Sequence, residues 1–246
     1  VVYWAYEGSM MGTARTFDNE PMTGRAAAAE YLQGWMLEYS LSVDNLFVFA
    51  LLFTHFKVPQ AYQHRVLFWG ILGALVLRGV MIGAGAALIH SFHWIIYVFG
   101  AFLLLTAVKM LSLGSEEKNP EDSLVVRAAR RVLPMTDQYH GSQFIALENG
   151  KRVATPLLLV LIIVEFTDVV FAVDSIPAIF GVTREPFIVF TSNVFAIMGL
   201  RSLYFALAGL IHKFRFLKIA LCAVLAFIGL KMLLHSLLPI PGPVSL

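Results

Sequence analysis

The chain has 246 residues, of which 59% are hydrophobic and 14% charged, with a mean hydropathy of +0.76. Soluble domains are roughly 45–50% apolar and about 25% charged, so a disordered chain is excluded, an ordinary soluble enzyme is disfavoured, and a polytopic membrane protein is implied. A net charge of +2, with basic residues scattered between apolar blocks, excludes nucleic acid as a partner. The single cysteine, Cys222, excludes an internal disulfide, a CxxC pair and a cysteine-based zinc site.

In chain order, Val1–Tyr6 reads as the aromatic, interfacial end of an earlier apolar helix, which predicts one further span upstream. Glu7–Glu30, with Pro21, three glycines and mixed charge, reads as an extramembrane loop. Six apolar blocks follow, at Leu32–Thr54, Val66–Ile89, Phe92–Leu113, Thr155–Phe180, Phe187–Ile211 and Phe216–Leu238. Each is long enough to cross about 30 Å of hydrocarbon as a helix. Between the third and fourth lies Gly114–Ala154, the only sizeable polar segment. Within it Asp122–Leu133 predicts a basic amphipathic helix at the membrane surface, and Ser142–Ala154 predicts a hairpin about Asn149-Gly150. The expected organisation is an N-terminal remnant and external loop (1–31), a first three-helix membrane unit (32–113), the polar loop as a structural or gating clip (114–154), a second membrane unit (155–238) and an external tail (239–246).

The loops set the orientation. One side carries Lys57, Arg65, Lys118, Arg127, Arg130, Arg131, Lys151, Arg152, Lys213, Arg215 and Lys218; the other carries only Arg15, Arg25 and Arg184. The basic side is expected to be cytoplasmic.

The two membrane units resemble each other. Glu38-Tyr-Ser-Leu-Ser-Val-Asp44-Asn45-Leu in the first span matches Asp168-Val-Val-Phe-Ala-Val-Asp174-Ser175-Ile in the fourth. Arg78 answers to Arg201, Leu88-Ile89-His90 to Leu210-Ile211-His212, and Lys109-Met110-Leu111 to Lys231-Met232-Leu233. Three spans per copy is odd, so the second copy enters from the opposite side. The expected fold is an all-α transmembrane bundle of two inverted three-helix repeats, a design common in secondary transporters, which bind their substrates near the midplane.

Five acids fall inside apolar blocks: Glu38, Asp44, Glu165, Asp168 and Asp174. At roughly 2.5–3.5 kcal/mol each near a helix centre, their sum rivals the whole stability of a typical domain, about 5–15 kcal/mol. They require partners or a wet cavity. Arg78 and Arg201 are expected to form structural ion pairs with Glu38 and Asp168, while Lys109 and Lys231, near helix ends, snorkel. Glu165, Asp168 and Ser175 share a helix face, as do Glu38 and Asn45, but Asp44 and Asp174 lie about 120° away from Glu38 and Asp168. A helix break at Pro177 would gather these oxygens. The cluster is all oxygen, with Asn45, Ser175, Thr167, Ser42 and Asn193 as candidates beside the carboxylates, and no histidine lies mid-span. Such donors select hard cations: Mg²⁺, Ca²⁺ or Mn²⁺. No prosthetic group is implied; the partners are the metal ion and the bilayer.

The stretches EYSLSVDNLFVFALLF, YQHRVLFWGILGALVLRG, VRAARRVLPMTDQYHG and VEFTDVVFAVDSIPAIFGVTREPFIVFTSNVFAIMGLRSLYF resemble the TerC family of integral membrane proteins over nearly the whole chain. The family is named for tellurium resistance, includes Alx-like manganese exporters and is grouped with the LysE-type exporters. The resemblance implies export of a divalent cation, Mn²⁺ first, possible exchange for protons, and a bacterial inner membrane or a thylakoid membrane. It also implies that Glu38, Asp44, Asn45, Glu165, Asp168, Asp174 and Ser175 are the transport residues. The alternative function is a non-transporting membrane factor for metal loading or insertion of other proteins. An intramembrane aspartyl protease is disfavoured, because Asp44 and Asp174 stand in DNL and DSI contexts rather than a GxGD-like one. A nest of five acids would repel an oxyanion of tellurium.

Overall fold

The computed structural model describes residues 2–7, 21–92, 94–112, 123–207 and 217–234, and within these the side chains of 44, 112, 200, 201, 205–207, 217 and 218 are not described. The expectations resting on the side chains of Asp44 and Arg201, on most of the N-terminal loop and on the C-terminal tail therefore lie outside the described residues.

The protein is a helix bundle. A short helix, α1 (Val2–Glu7), precedes α2 (Gly24–His55), α3 (Gln60–Ser91) and α4 (Ile95–Ser112). The polar loop contributes α5 (Leu124–Val132) and the strands β1 (Ile145–Glu148) and β2 (Lys151–Ala154). The bundle closes with α6 (Pro156–Phe180), α7 (Pro186–Leu207) and α8 (Leu217–Leu234). Gly24–His55, Gln60–Ser91, Pro156–Phe180 and Pro186–Tyr204 are long and apolar enough to cross a membrane. Ile95–Leu111 and Ile219–Leu234 are shorter apolar stretches.

The first span begins earlier than its hydropathy indicates. Thr23 caps α2 by accepting a hydrogen bond from the Ala26 amide (3.2 Å), and the alanines that follow are strong helix formers. Glu7 of α1 accepts from the Gly24 amide (3.1 Å), which ties the segment down. Gly24–Glu30 is therefore helix rather than loop. The hairpin forms as its turn residues require: Asn149 and Gly150 both have positive φ (50° and 76°), and Glu148 pairs with Lys151. Ser123 caps α5 through the Val126 amide.

Outward-facing residues such as Val76, Val80, Leu105 and Phe195 are more than half exposed, as lipid contacts require. Inside, two apolar clusters form. One gathers Leu46, Phe53, Leu67, Val160 and Val164 and reaches the loop through Val126. The other gathers Leu37, Ile82, Leu103, Ile176, Ile179 and Leu225. Helices α4 and α8 pack closely at Gly100 and Gly229, where a Cβ on either would meet the other's carbonyl oxygen at 2.8–2.9 Å. Helix α2 packs against α7 as α3 packs against α6, and α2 against α6 as α3 against α7. Cys222 is buried, as expected of a small apolar side chain.

Candidate functional site

A polar layer separates the two apolar clusters, and it is built by α2, α3 and α6 near their middles. Its centre is Arg78 of α3, which is 1% exposed. Arg78 forks onto Asp168, with Nε donating to Oδ2 (2.9 Å) and Nη2 to Oδ1 (2.7 Å), and its Nη1 donates to Glu38 Oε1. One guanidinium thus holds both acids, where the repeat suggested one arginine for each. The planar fork makes this possible: two nitrogens match one carboxylate and the third reaches α2. Ser42 Oγ donates to the same Glu38 oxygen across one turn (3.4 Å). Among the described residues, Glu38 Oε2, Asn45 Oδ1 and Ser175 Oγ are buried without a hydrogen-bond partner.

Those residues line one cavity of about 50 Å³, together with Arg78, Asp174 and Met110. A space of this size exceeds what a single water needs, about 10–15 Å³. Among the described side chains in and around it three are acids (Glu38, Asp168, Asp174) and one is a base in contact with them (Arg78), an excess of two acids. Buried unpartnered oxygens are costly at roughly 1–3 kcal/mol each, and an oxygen-seeking dication would satisfy them in both bonding and charge. The residues present therefore fit such an ion as substrate.

Three expectations are corrected. Helix α6 does not break at Asp174: it stays helical through Pro177 to Phe180. The proline sits in the last turn, where only the bond to the Val173 carbonyl is lost, and the Gly181 amide caps the freed end by reaching the Pro177, Ala178 and Ile179 carbonyls. Without a break, Glu165 cannot join Asp174; nine residues of helix separate them by about 13 Å. Glu165 instead lies against Gly73 of α3, where a Cβ would collide with its carboxylate. The third correction is Lys231, which is buried between α8 and α2 rather than snorkelling. Thr167 is turned back onto the Ile163 carbonyl (2.7 Å), away from ligand duty.

Two neighbours of Asp174 were not expected from the sequence. Thr106 Oγ1 of α4 donates to Asp174 Oδ1 (3.1 Å), and Lys109, three residues on, attracts the same carboxylate. The i, i+3 spacing of Thr106 and Lys109 places both on one face of an otherwise apolar helix, which is the signal that could have found them. Among the described residues no group of three or more His, Cys, Asp or Glu side chains is placed to hold a metal by itself. The cavity's remaining donors are neutral oxygens, and Asp44 is the acid whose side chain lies outside the description.

The polar loop packs on the basic end of the bundle. Tyr139 donates to the Phe56 carbonyl (2.6 Å), Arg65 donates to Ser142 Oγ (2.9 Å), and Thr155 donates to the Gln143 carbonyl (2.7 Å). The loop therefore ties the α2–α3 turn to the start of α6. Burial raises the Tyr139 hydroxyl above its ordinary value, and hydrogen bonds from Thr136 and His140 hold Glu148 below its own.

The sequence profile described as "Integral membrane protein TerC family" matches residues 23–244, and the chain belongs to that family. A membrane protein of Myxococcus xanthus is 52% identical over 91% of this chain and 70% of its own length. Proteins named Alx from Escherichia coli (strain K12) and Salmonella typhi are each 53% identical, over 91% and 89% of this chain and 71% and 68% of their own lengths. The Alx name proposes a membrane-bound redox modulator. No solved structure matches.

Proposed function

We propose that this TerC-family membrane protein is a secondary transporter that exports a divalent cation, Mn²⁺ foremost, from the cytoplasm across a bacterial inner membrane. The observation that carries the reading is the mid-bundle cavity. Three buried, unpartnered oxygens from Glu38, Asn45 and Ser175 face it together with the Asp174 carboxylate. Hard oxygen donors in a small space with an excess of acids suit Mn²⁺ or Mg²⁺, and Ca²⁺ less readily at this size. Arg78 holds Glu38 and Asp168 in place through three hydrogen bonds. Asp174 carries no such clamp and is the acid free to exchange ligands. Asp44, its repeat equivalent, completes the ligand set. The exchanged pairings of α2, α3, α6 and α7 are those that two related repeats would make, and the site lies where they meet. The direction and the metal rest on family resemblance. One thiol makes no internal disulfide, so the redox effect implied by the Alx name would follow from the metal moved.

Metal analysis of the purified protein tests this. Protein purified with Mn²⁺ in the buffer and then gel-filtered should retain about one Mn²⁺ per chain, and Asp44→Ala and Asp174→Ala should retain none while staying monodisperse. Equal metal in all three proteins, or none in any, would favour the non-transporting factor.

A further inference from the structure

Asp174 stands in the wall between two spaces. On one side is the small cavity with Glu38, Asn45, Arg78 and Ser175. On the other is a groove of about 630 Å³ between α4 and α6, lined by Thr106, Lys109, Met110, Val170 and Val173. Asp174 and Met110 belong to both. In the groove Thr106 fixes one oxygen of the Asp174 carboxylate (3.1 Å), and Lys109 adds a charge attraction.

Among the described residues Lys109 closes no ion pair within 4.0 Å. Its ammonium is thus in the field of Asp174 without being locked to it. Lys109 is exposed and lies in the last turn of α4. Its four-carbon stem lets the head swing between the carboxylate and the membrane surface.

Charge decides what this lysine does. Among the described side chains Glu38, Asp168 and Asp174 against Arg78 leave two negatives, Asp44 as a ligand would add a third, and Lys109 near Asp174 offsets one of them. A dication on Asp174 would stand beside the Lys109 ammonium, so the two cations repel each other and compete for the one carboxylate. We propose that Lys109 is the resident counter-cation of the site: it balances Asp174 before metal binds, is displaced into the groove when metal arrives, and speeds release by returning. The inference rests on the transport reading above and adds to it the residue that sets affinity against turnover. It needs no change in the protonation of Lys109.

The test is Mn²⁺ binding by calorimetry to the full chain in nanodiscs, with Mn²⁺ efflux from liposomes as a second readout. Lys109→Met should bind Mn²⁺ roughly tenfold more tightly than wild type, the low end of what one neighbouring opposite charge does to a carboxylate's affinity for a proton, and should export more slowly. Lys109→Arg should match wild type, and Lys109→Gln should follow Lys109→Met, so that a folding fault in one neutral variant leaves the other to decide. If neutral variants bind with unchanged or weaker affinity while wild type binds normally, Lys109 only snorkels and the inference alone falls. If wild type shows no saturable Mn²⁺ binding, the transport reading and the inference fall together.

Discussion

Removing Arg78 strips two buried carboxylates of their partner in one step. Arg78, Glu38 and Asp168 are all buried, and the three hydrogen bonds of the guanidinium go to those two acids alone. Breaking one buried pair costs roughly 3–5 kcal/mol. With two acids orphaned, Arg78→Met should cost at least about 5 kcal/mol, tempered only as the acids protonate. For a domain of this size that is a fall in melting temperature of about 10–20 °C. The assay is thermal unfolding of detergent-purified protein, followed by loss of the monodisperse peak. Arg78→Lys should fall about halfway, since one ammonium cannot fork onto Asp168 and still reach Glu38. The triple variant Arg78→Met, Glu38→Gln, Asp168→Asn should recover most of the loss, because it removes the charges that the arginine compensates. If the triple variant melts no higher than Arg78→Met, the loss comes from packing and the charge argument is refuted.

Three further outcomes follow from the structure. Gly229→Val should lower stability by about 1–3 kcal/mol through overpacking, because its Cβ would meet the Gly100 carbonyl at 2.8 Å; a melting curve equal to wild type would show that α4 and α8 do not approach so closely. Glu148 is held below its ordinary value of 4.5, so its contribution to the loop is present above pH 4.5 and lost as pH falls below it; hydrogen exchange of the Ile145–Ala154 hairpin should rise below pH 4.5, and in His140→Ala it should already be raised at neutral pH. On a Cys222→Ala background, Ser245→Cys should react with impermeant maleimide in intact cells and Asn149→Cys only with a permeant one; the reverse pattern would invert the topology read from the basic loops.

What the sequence disclosed and what it hid divide along physical lines. Apolar runs and the Asn149-Gly150 turn are local signals, and the helices and hairpin appear where they point. The early start of α2 was hidden because a capped, alanine-rich segment is helical without being hydrophobic. The buried acids were legible from their cost in an apolar block, as was the involvement of Arg78. That Arg78 serves both Glu38 and Asp168 was not, since it depends on how α2, α3 and α6 converge. Thr106 and Lys109 were passed over because a lone threonine and a helix-end lysine are ordinary in a span, and only tertiary packing sets them beside Asp174. Pro177 misled, because its effect depends on how near the helix end it stands.

The claim that the mid-bundle cavity moves a divalent cation is tested most directly by flux through the purified protein. Liposomes carrying an Mn²⁺-sensitive dye should show saturable Mn²⁺ movement with wild-type protein, and Asp174→Asn, which keeps the shape of the side chain and removes its charge, should abolish it while melting at the wild-type temperature. Equal flux through wild type and Asp174→Asn would contradict the assignment of Asp174, and no flux through folded wild type would contradict transport itself.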